Sequence, residues 1–221
     1  TGTGPYTHEF RSGNWSLPSL AIEVGMPEVP HFGMNTGCVV NTLSWQMQHT
    51  GLLTATVGLI AQGETIGAAT GAGTPTDWTI TRFGQFNGAV KRNGTALGNV
   101  VSAQINYTNN LDRIETIRND GKIDGADPSI AALTGSIVVR FADQTLLNQA
   151  IAGSAAELEF SFVKSANESL TFTMHEVFLP KPRLVVQGPQ GVQATFAWQA
   201  ARDSALGRMC TAVLINDVAS Y

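Results

Sequence analysis

Charge is what this chain is short of. Lysine, arginine, aspartate and glutamate make up 14% of its 221 residues, well under the quarter or so that is usual for a soluble domain. A surface so poor in charge fits one that another protein covers. The 13 basic residues against 17 acidic ones leave a formal net charge of −4, which argues against a dedicated nucleic-acid binder that neutralises phosphates with Lys and Arg. Cysteine is scarce too. Cys38 and Cys210 stand far apart and belong to no C-x-x-C spacing, so two buried thiols are expected rather than a disulfide or a metal site, as in a chain made in a reducing cytosol. No apolar run approaches the roughly 20 residues that cross a bilayer, and no basic stretch leads into a signal-like apolar one. The expectation is a chain with no membrane segment.

Helix is the other rarity. The residues give one convincing example, over 143–152: Asp143 is placed to accept the first free backbone N–H groups, Leu146, Leu147, Ala150 and Ile151 fall on one apolar face, and Gly153 ends the run. Before it, Ile137, Val139 and Phe141 alternate with Ser136, Val138 and Arg140. After it, Leu158, Phe160 and Phe162 alternate with Glu157, Glu159 and Ser161, the period of two that marks half-buried strands. With 43% hydrophobic residues, the chain can bury a sizeable core without help from metals or disulfides. The composition and periodicity together predict a mainly β protein with one short helix.

Along the chain, residues 1–30 carry Gly2, Gly4, Pro5, Pro18, Pro27 and Pro30, and only Leu20 to Val24 looks strand-like, so this segment reads as an extended arm. Residues 31–221 read as a single domain. Within it, Val39 to Met47 and Leu52 to Ala61 flank a four-residue turn as the best hairpin in the sequence. Phe86 to Lys91 and Thr95 to Asn106 flank Arg92, Asn93 and Gly94 as another, with Asn-Gly as a strong tight-turn signal. Residues 62–84 read as a long loop rich in Gly, Ala and Thr. Leu111 to Pro128 reads as a charged loop holding Asp112, Glu115, Asp120, Asp124 and Asp127 against Arg113, Arg118 and Lys122. Leu170 to Leu179 is a strand, Leu184 to Gln187 and Val192 to Trp198 form a further hairpin, and Met209 to Asn216 closes the sheet.

Chemical motifs fail when tested. Gly63 to Gly73 is glycine-rich but lacks the spacing and the lysine of a phosphate-binding loop. Asp120, Asp124 and Gly125 faintly resemble a calcium loop, yet Lys122 and Ala131 occupy two of the positions where ligands belong. His8, His31, His49 and His175 share no ligand spacing and accompany no G-x-S-x-G. Glu157 and Glu159 are better read as a solvated strand face than as a glycosidase pair. Trp15, Trp45, Trp78 and Trp198 fit core or interface anchors better than sugar platforms. The sequons at Asn14, Asn93, Asn106 and Asn167 are chance outcomes of an Asn- and Thr-rich composition. No catalytic, cofactor-binding or metal-binding residue is expected.

The segment from Leu133 to Phe162, a strand ending in R-F-A-D, a short helix and an E-L-E-F-S-F strand, follows an N-N-L-D-R-I-E-T-I-R-N-D-G run over 109–121. This order, with the hairpin strand Ser44 to Glu64, resembles the tail tube (major tail) proteins of long-tailed, siphovirus-type bacteriophages. The resemblance implies a β-sandwich or barrel-like fold with one flanking helix, hexameric rings, and stacking of those rings into the conduit for DNA ejection. It also implies residency in the virion after assembly in the host cytoplasm. The implied partners are further copies of the chain, a tape measure protein and tail terminator and initiator proteins, with genomic DNA passing unbound in sequence-specific terms. Relatives often carry more sequence before the segment matching Thr1.

On the same resemblance the 62–84 loop reaches the adjacent ring. Gly63, Gly67, Gly71 and Gly73 leave it too free to order alone, while Ile66, Pro75, Trp78 and Ile80 serve as apolar anchors. Some of Asp112, Glu115, Asp120, Asp124 and Asp127 are expected where DNA passes, since an acidic bore repels rather than traps phosphate. The main rival reading is a carbohydrate-binding β-sandwich module, and a weaker one a jelly-roll enzyme. Aromatics exposed on one face would favour the first, and a pocket of convergent histidines and carboxylates the second.

Overall fold

The computed structural model describes residues 4–74, 80, 82–140, 143–182 and 192–220. Its strands, in chain order, are β1 (Tyr6–Arg11), β2 (Leu20–Met26), β3 (His31–Met47), β4 (Ala55–Ile60), β5 (Gly63–Gly67), β6 (Gly88–Arg92), β7 (Thr95–Ala96), β8 (Val100–Thr108), β9 (Asp112–Ile114), β10 (Gly125–Asp127), β11 (Ala132–Arg140), β12 (Ala156–Ser165), β13 (Glu168–Phe178), β14 (Gln193–Ala201) and β15 (Cys210–Asn216). One α-helix among the described residues, α1 (Thr145–Ala152), joins β11 to β12. The chain is mainly β, as its composition and periodicity predict.

One strand organises the rest. β3 is 17 residues long, and its two halves keep different company. Phe32 to Cys38 lie between β2 and β5, whereas Val39 to Met47 pair with β4 and, from Thr42, with β8, all antiparallel. Two irregularities separate the halves. Gly37 takes φ +66° where the β2–β3 register slips between Leu20 and Ile22, a conformation that glycine adopts freely and side chains resist. Asn41 is then the extra residue where the β3–β4 register shifts between Val40 and Thr42. Its carbonyl accepts the Asn109 N–H at 2.8 Å and its Oδ1 accepts the Leu111 N–H at 3.0 Å, so the bulge is pinned from outside the ladder.

The second half of β3 belongs to a sandwich. The ladder runs β4, β3, β8, β11, β14, and then reaches β13, which meets β14 only at Glu176 to Phe178 and gives the rest of that edge, Ser169 to Met174, to β15. A strand with two different neighbours along one edge cannot stay flat, and the sheet folds over there. One inner row crosses Ala55, Trp45, Ile105, Gly135 and Trp198. The facing row crosses Val90, Phe160, Phe172, Ala212 and Phe10. The rows meet where the Trp45 and Phe172 rings lie 4.3 Å apart and those of Phe160 and Trp198 6.1 Å apart. Gly135 is required by this closure, because a Cβ there would collide with the Gln104 carbonyl and the Trp198 ring. β14 alternates buried and exposed residues nearly without fault, the pattern of a strand with one face on a core.

Sequence expectations fare unevenly at the periphery. The hairpin of β3 with β4 is present, and Asn93 and Gly94, at φ 48° and 76°, make the tight turn between β6 and β7 in the primed geometry that suits a hairpin. The segment 1–30 contains more strand than the sequence suggests. β1 pairs with β15 along its whole length, and its partner lies too far along the chain for local patterning to reveal it. Residues 62–84 are not loop throughout, since β5 continues the ladder against β3. Residues 111–128 include a small hairpin of β9 with β10. The Leu184 to Gln187 strand and the turn after it lie outside the described residues, as does Phe141.

The helix starts later than expected and buries a narrower face. Asp143 is not its N-cap; Gln144 is, and Asp143 Oδ1 accepts the Thr145 N–H at 2.8 Å from one residue further out. That bond holds the Asp143 carboxyl below its ordinary value. Leu146 and Ala150 are buried and Leu147 half-buried, but Ile151 is 60% exposed and does not join the packed face. Gly153, at φ +61°, closes the last turn by donating its N–H to the Gln149 carbonyl.

Candidate assembly surfaces

The first half of β3, with β2 and β5, forms a three-stranded ribbon that no second sheet covers among the described residues. Val24, Gly33 and Ile66 lie directly opposite one another across its three strands, so they share a face with Ile22 and Met26. On that face Val24 is 57%, Met26 50% and Ile66 63% exposed, and Val29 at the tip is 69% exposed. Glu64 folds over Gly33 in the middle of the row. The opposite face is treated differently. Glu23, across from Met34, accepts the Thr70 hydroxyl at 2.5 Å and the Gly71 N–H at 2.7 Å, which draws the segment after β5 back toward Met34. These two bonds, the hydroxyl first, lower the Glu23 pKa.

Of the residues expected to bridge rings, Gly63, Ile66 and Gly67 are in β5, Gly71 is in the strap held by Glu23, and Gly73, at φ +71°, follows it. Ile80 is exposed, and Pro75 and Trp78 lie outside the described residues. The loop's two described ends are far apart in the fold. One rests on the ribbon; the other, at Phe83 and Gly84, joins the turn after β3, where Leu53 N–H donates to the Phe83 carbonyl and Leu52 bridges to Gly84.

That second place is the far end of β3. Gln85 holds it together: its Nε2 donates to the Gln46 carbonyl at 2.9 Å and its Oε1 accepts the Gln48 N–H at 3.2 Å. The side chains around this buried knot are left out in solvent. Phe86 is 84%, Leu52 57% and Val101 40% exposed, beside a groove of about 500 Å³ lined in part by Met47, His49 and Val101. Nothing in the local sequence marks Phe86 as surface; it becomes so because Gln85 takes the inward position.

Asp112, Glu115, Asp120, Asp124 and Asp127 are all exposed and sit together on and around the β9–β10 hairpin, which leans on the base of the ribbon through the bond from Ile123 N–H to the Gln62 carbonyl. They are not equivalent. Arg118 pairs with Asp120 at 2.8 Å and also with Asp124, which holds both carboxyls below the ordinary range. Asp112 and Asp127 face each other across the hairpin register.

The remaining chemical candidates are dispersed. Trp45 and Trp198 are core residues and Trp15 is 69% exposed, so the described tryptophans form no common platform. His175 Nε2 lies 2.7 Å from Thr211 Oγ1 with Glu157 3.7 Å from the other ring nitrogen, an order that suggests a triad. Thr211 is buried, however, and its hydroxyl already accepts from Arg208 Nε at 2.8 Å, which leaves no room for an attacking nucleophile. Glu159 is paired with Lys91 at 2.7 Å. Cys38 is buried and Cys210 half-buried, both as free thiols. No helix among the described residues is long and apolar enough to cross a membrane.

A comparison with curated proteins found no match to the chain. A family model described as phage tail tube protein matches residues 1–200, which covers the ribbon, the helix and the sandwich strands up to Ala200 in β14, and leaves out β15. The chain belongs to the phage tail tube protein family, and is a structural component of a phage tail.

Proposed function

We propose that this protein forms rings, six copies to a ring, that stack into the tube through which phage DNA leaves the virion. The observation that supports this reading most is the ribbon on a chain of this family: a sheet with apolar residues on an open face has no use in a monomer and is an association hazard. Closed rings and stacked rings remove such edges. Residues 31–221 read as one tail tube domain, sandwich and ribbon together, with 1–30 adding β1 to the sandwich and β2 to the ribbon, and tape measure, terminator and initiator proteins are its partners at the lumen and the two tube ends. Assembly takes place in host cytoplasm, and the chain has no catalytic role.

In this reading the 62–84 segment carries contacts between rings, and acidic residues of the β9–β10 hairpin face the DNA. Asp112, Glu115 and Asp127 serve that role better than Asp120 and Asp124, whose charge Arg118 offsets. Negative-stain images and light scattering of purified protein test the proposal directly. Rings or tubes should appear as concentration rises, and a strict monomer over a wide range, even with a tail initiator, would overturn it. Reversing Asp112, Glu115 and Asp127 to Lys should leave tubes intact and slow DNA release through phosphate binding; unchanged ejection from such tubes would remove these residues from the bore.

A further inference from the structure

Resting on the tail tube reading, we infer that the ribbon's open face has a specific receptor: the Phe86 and Leu52 patch at the opposite end of β3 in a second copy of this chain. The two surfaces sit at the two ends of one strand. At about 3.3 Å per residue, the 17 residues of β3 span roughly 56 Å, with Val24, Met26 and Ile66 beside its first residues and Leu52 and Phe86 beside its last. A contact between unlike surfaces at opposite ends of a molecule does not close on itself; repeated, it builds a filament with one direction.

Charge distinguishes the two ends. Between Arg11 and Arg82 the sequence has no lysine or arginine, so β2, β3 and β5 bring no Lys or Arg to Glu28 at the ribbon's tip or to Glu64 on its open face. Lys122 reaches over its base at Gly63. Glu28 and Glu64 make no ion pair among the described residues. The far end supplies the opposite sign. Arg82 is exposed next to Phe83, Arg140 is exposed at the same end of the sandwich, where its N–H donates to the Asn99 carbonyl, and neither meets a carboxylate among the described residues. Acidic, apolar ribbon and basic, apolar receptor are complementary in both respects.

Size sets the order of events. Val24, Met26, Val29 and Ile66 leave on the order of 400 Å² of apolar side chain open, large enough to mark an interaction site but about half of what each partner contributes to a stable pairwise interface. A single junction therefore holds two monomers poorly, and several acting in parallel between two rings hold firmly. Ring formation precedes stacking.

The experiment uses Ile66→Lys and Phe86→Glu in the full chain. Both side chains are mostly exposed, so melting and circular dichroism should match wild type. Each variant alone should need at least ten times the wild-type concentration to form tubes. Mixed in equal amounts, the two should assemble together well below the concentration either needs alone, because the ribbon of Phe86→Glu fits the far end of Ile66→Lys and the two altered surfaces carry opposite charges. The product is tubes that contain both variants. Normal tubes from Phe86→Glu alone, or a mixture that assembles no better than either variant, overturns the receptor assignment while wild-type tubes leave the tail tube reading in place. Failure of wild type itself to form tubes overturns both.

Discussion

The two halves of β3 obey different rules. From Leu43 to Met47 the strand alternates under a second sheet, and Trp45 is held between Ile105 at its side and Phe172 across the core. From His31 to Met34 the same strand has neighbours on both edges and no covering sheet, and the apolar residues beside it stay open. Both stretches satisfy their backbone in ladders. Only one of them buries side chains, so the first half of β3 holds its shape through hydrogen bonds and the second through packing. Burial separates a part that specifies the fold from a part available to a partner.

The comparison can be broken from the packed side first. Phe160→Ala, at a fully buried position against Trp198, should cost about 3–5 kcal/mol. Val24→Ala on the ribbon should cost no more than about 0.5 kcal/mol, as at ordinary surface sites. Chemical denaturation of the two variants measures the contrast, and similar losses would mean that the ribbon is packed as tightly as the body. Leu146→Asp should behave like the core variant, since it places a charge on the buried face of α1, whereas Ile151→Asp should leave the melting temperature nearly unchanged.

At the junction of the two regions, Gly37→Ala forces a side chain into a left-handed conformation, with its Cβ 2.6 Å from that of Gln62. A loss of about 2 kcal/mol is expected. Hydrogen exchange sharpens the result, because protection should fall first in Phe32 to Thr36 and β5 if the ribbon unfolds separately from the sandwich.

The smallest effects belong to exposed carboxylates. Asp143→Ala should fray the first turn of α1 and lower the melting temperature slightly. Glu23 has a folded-state pKa below its ordinary value of 4.5, so its clasp on Thr70 and Gly71 is fully present above pH 4.5 and is lost as pH falls through the lowered value. Glu23→Gln should therefore speed exchange at residues 70–72 at neutral pH with no change in the sandwich. Slow exchange in that variant would show that Met34, and not the carboxylate, holds the strap.

Within the packed half, much was legible from local pattern. The alternation in Leu158, Phe160 and Phe162, the Asn93-Gly94 turn and the single helix follow from side-chain period and backbone preference, which act over a few residues. The late start of that helix was not legible, because Asp143 is of the type that caps helices and only the backbone path moves the first turn one residue on, to Gln144, whose side chain makes no cap bond. β1 was missed for a similar reason. Its alternation is weak, and the strand exists because β15, some two hundred residues later, offers an edge.

The sequence by itself determined a mainly β chain with little charge, one helix, a glycine-rich stretch over 62–84 and a charged segment over 111–128, since composition and short-range periodicity are properties of neighbours along the chain. Tertiary structure alone decided which apolar residues stay outside. Val24, Ile66 and Phe86 are no less hydrophobic than Phe160; the first two are exposed because β13, shared between β14 and β15, folds the sheet over one half of β3 and leaves the other uncovered, and Phe86 because Gln85 takes the inward place beside it. Burial depends on where distant strands meet, which local sequence does not encode.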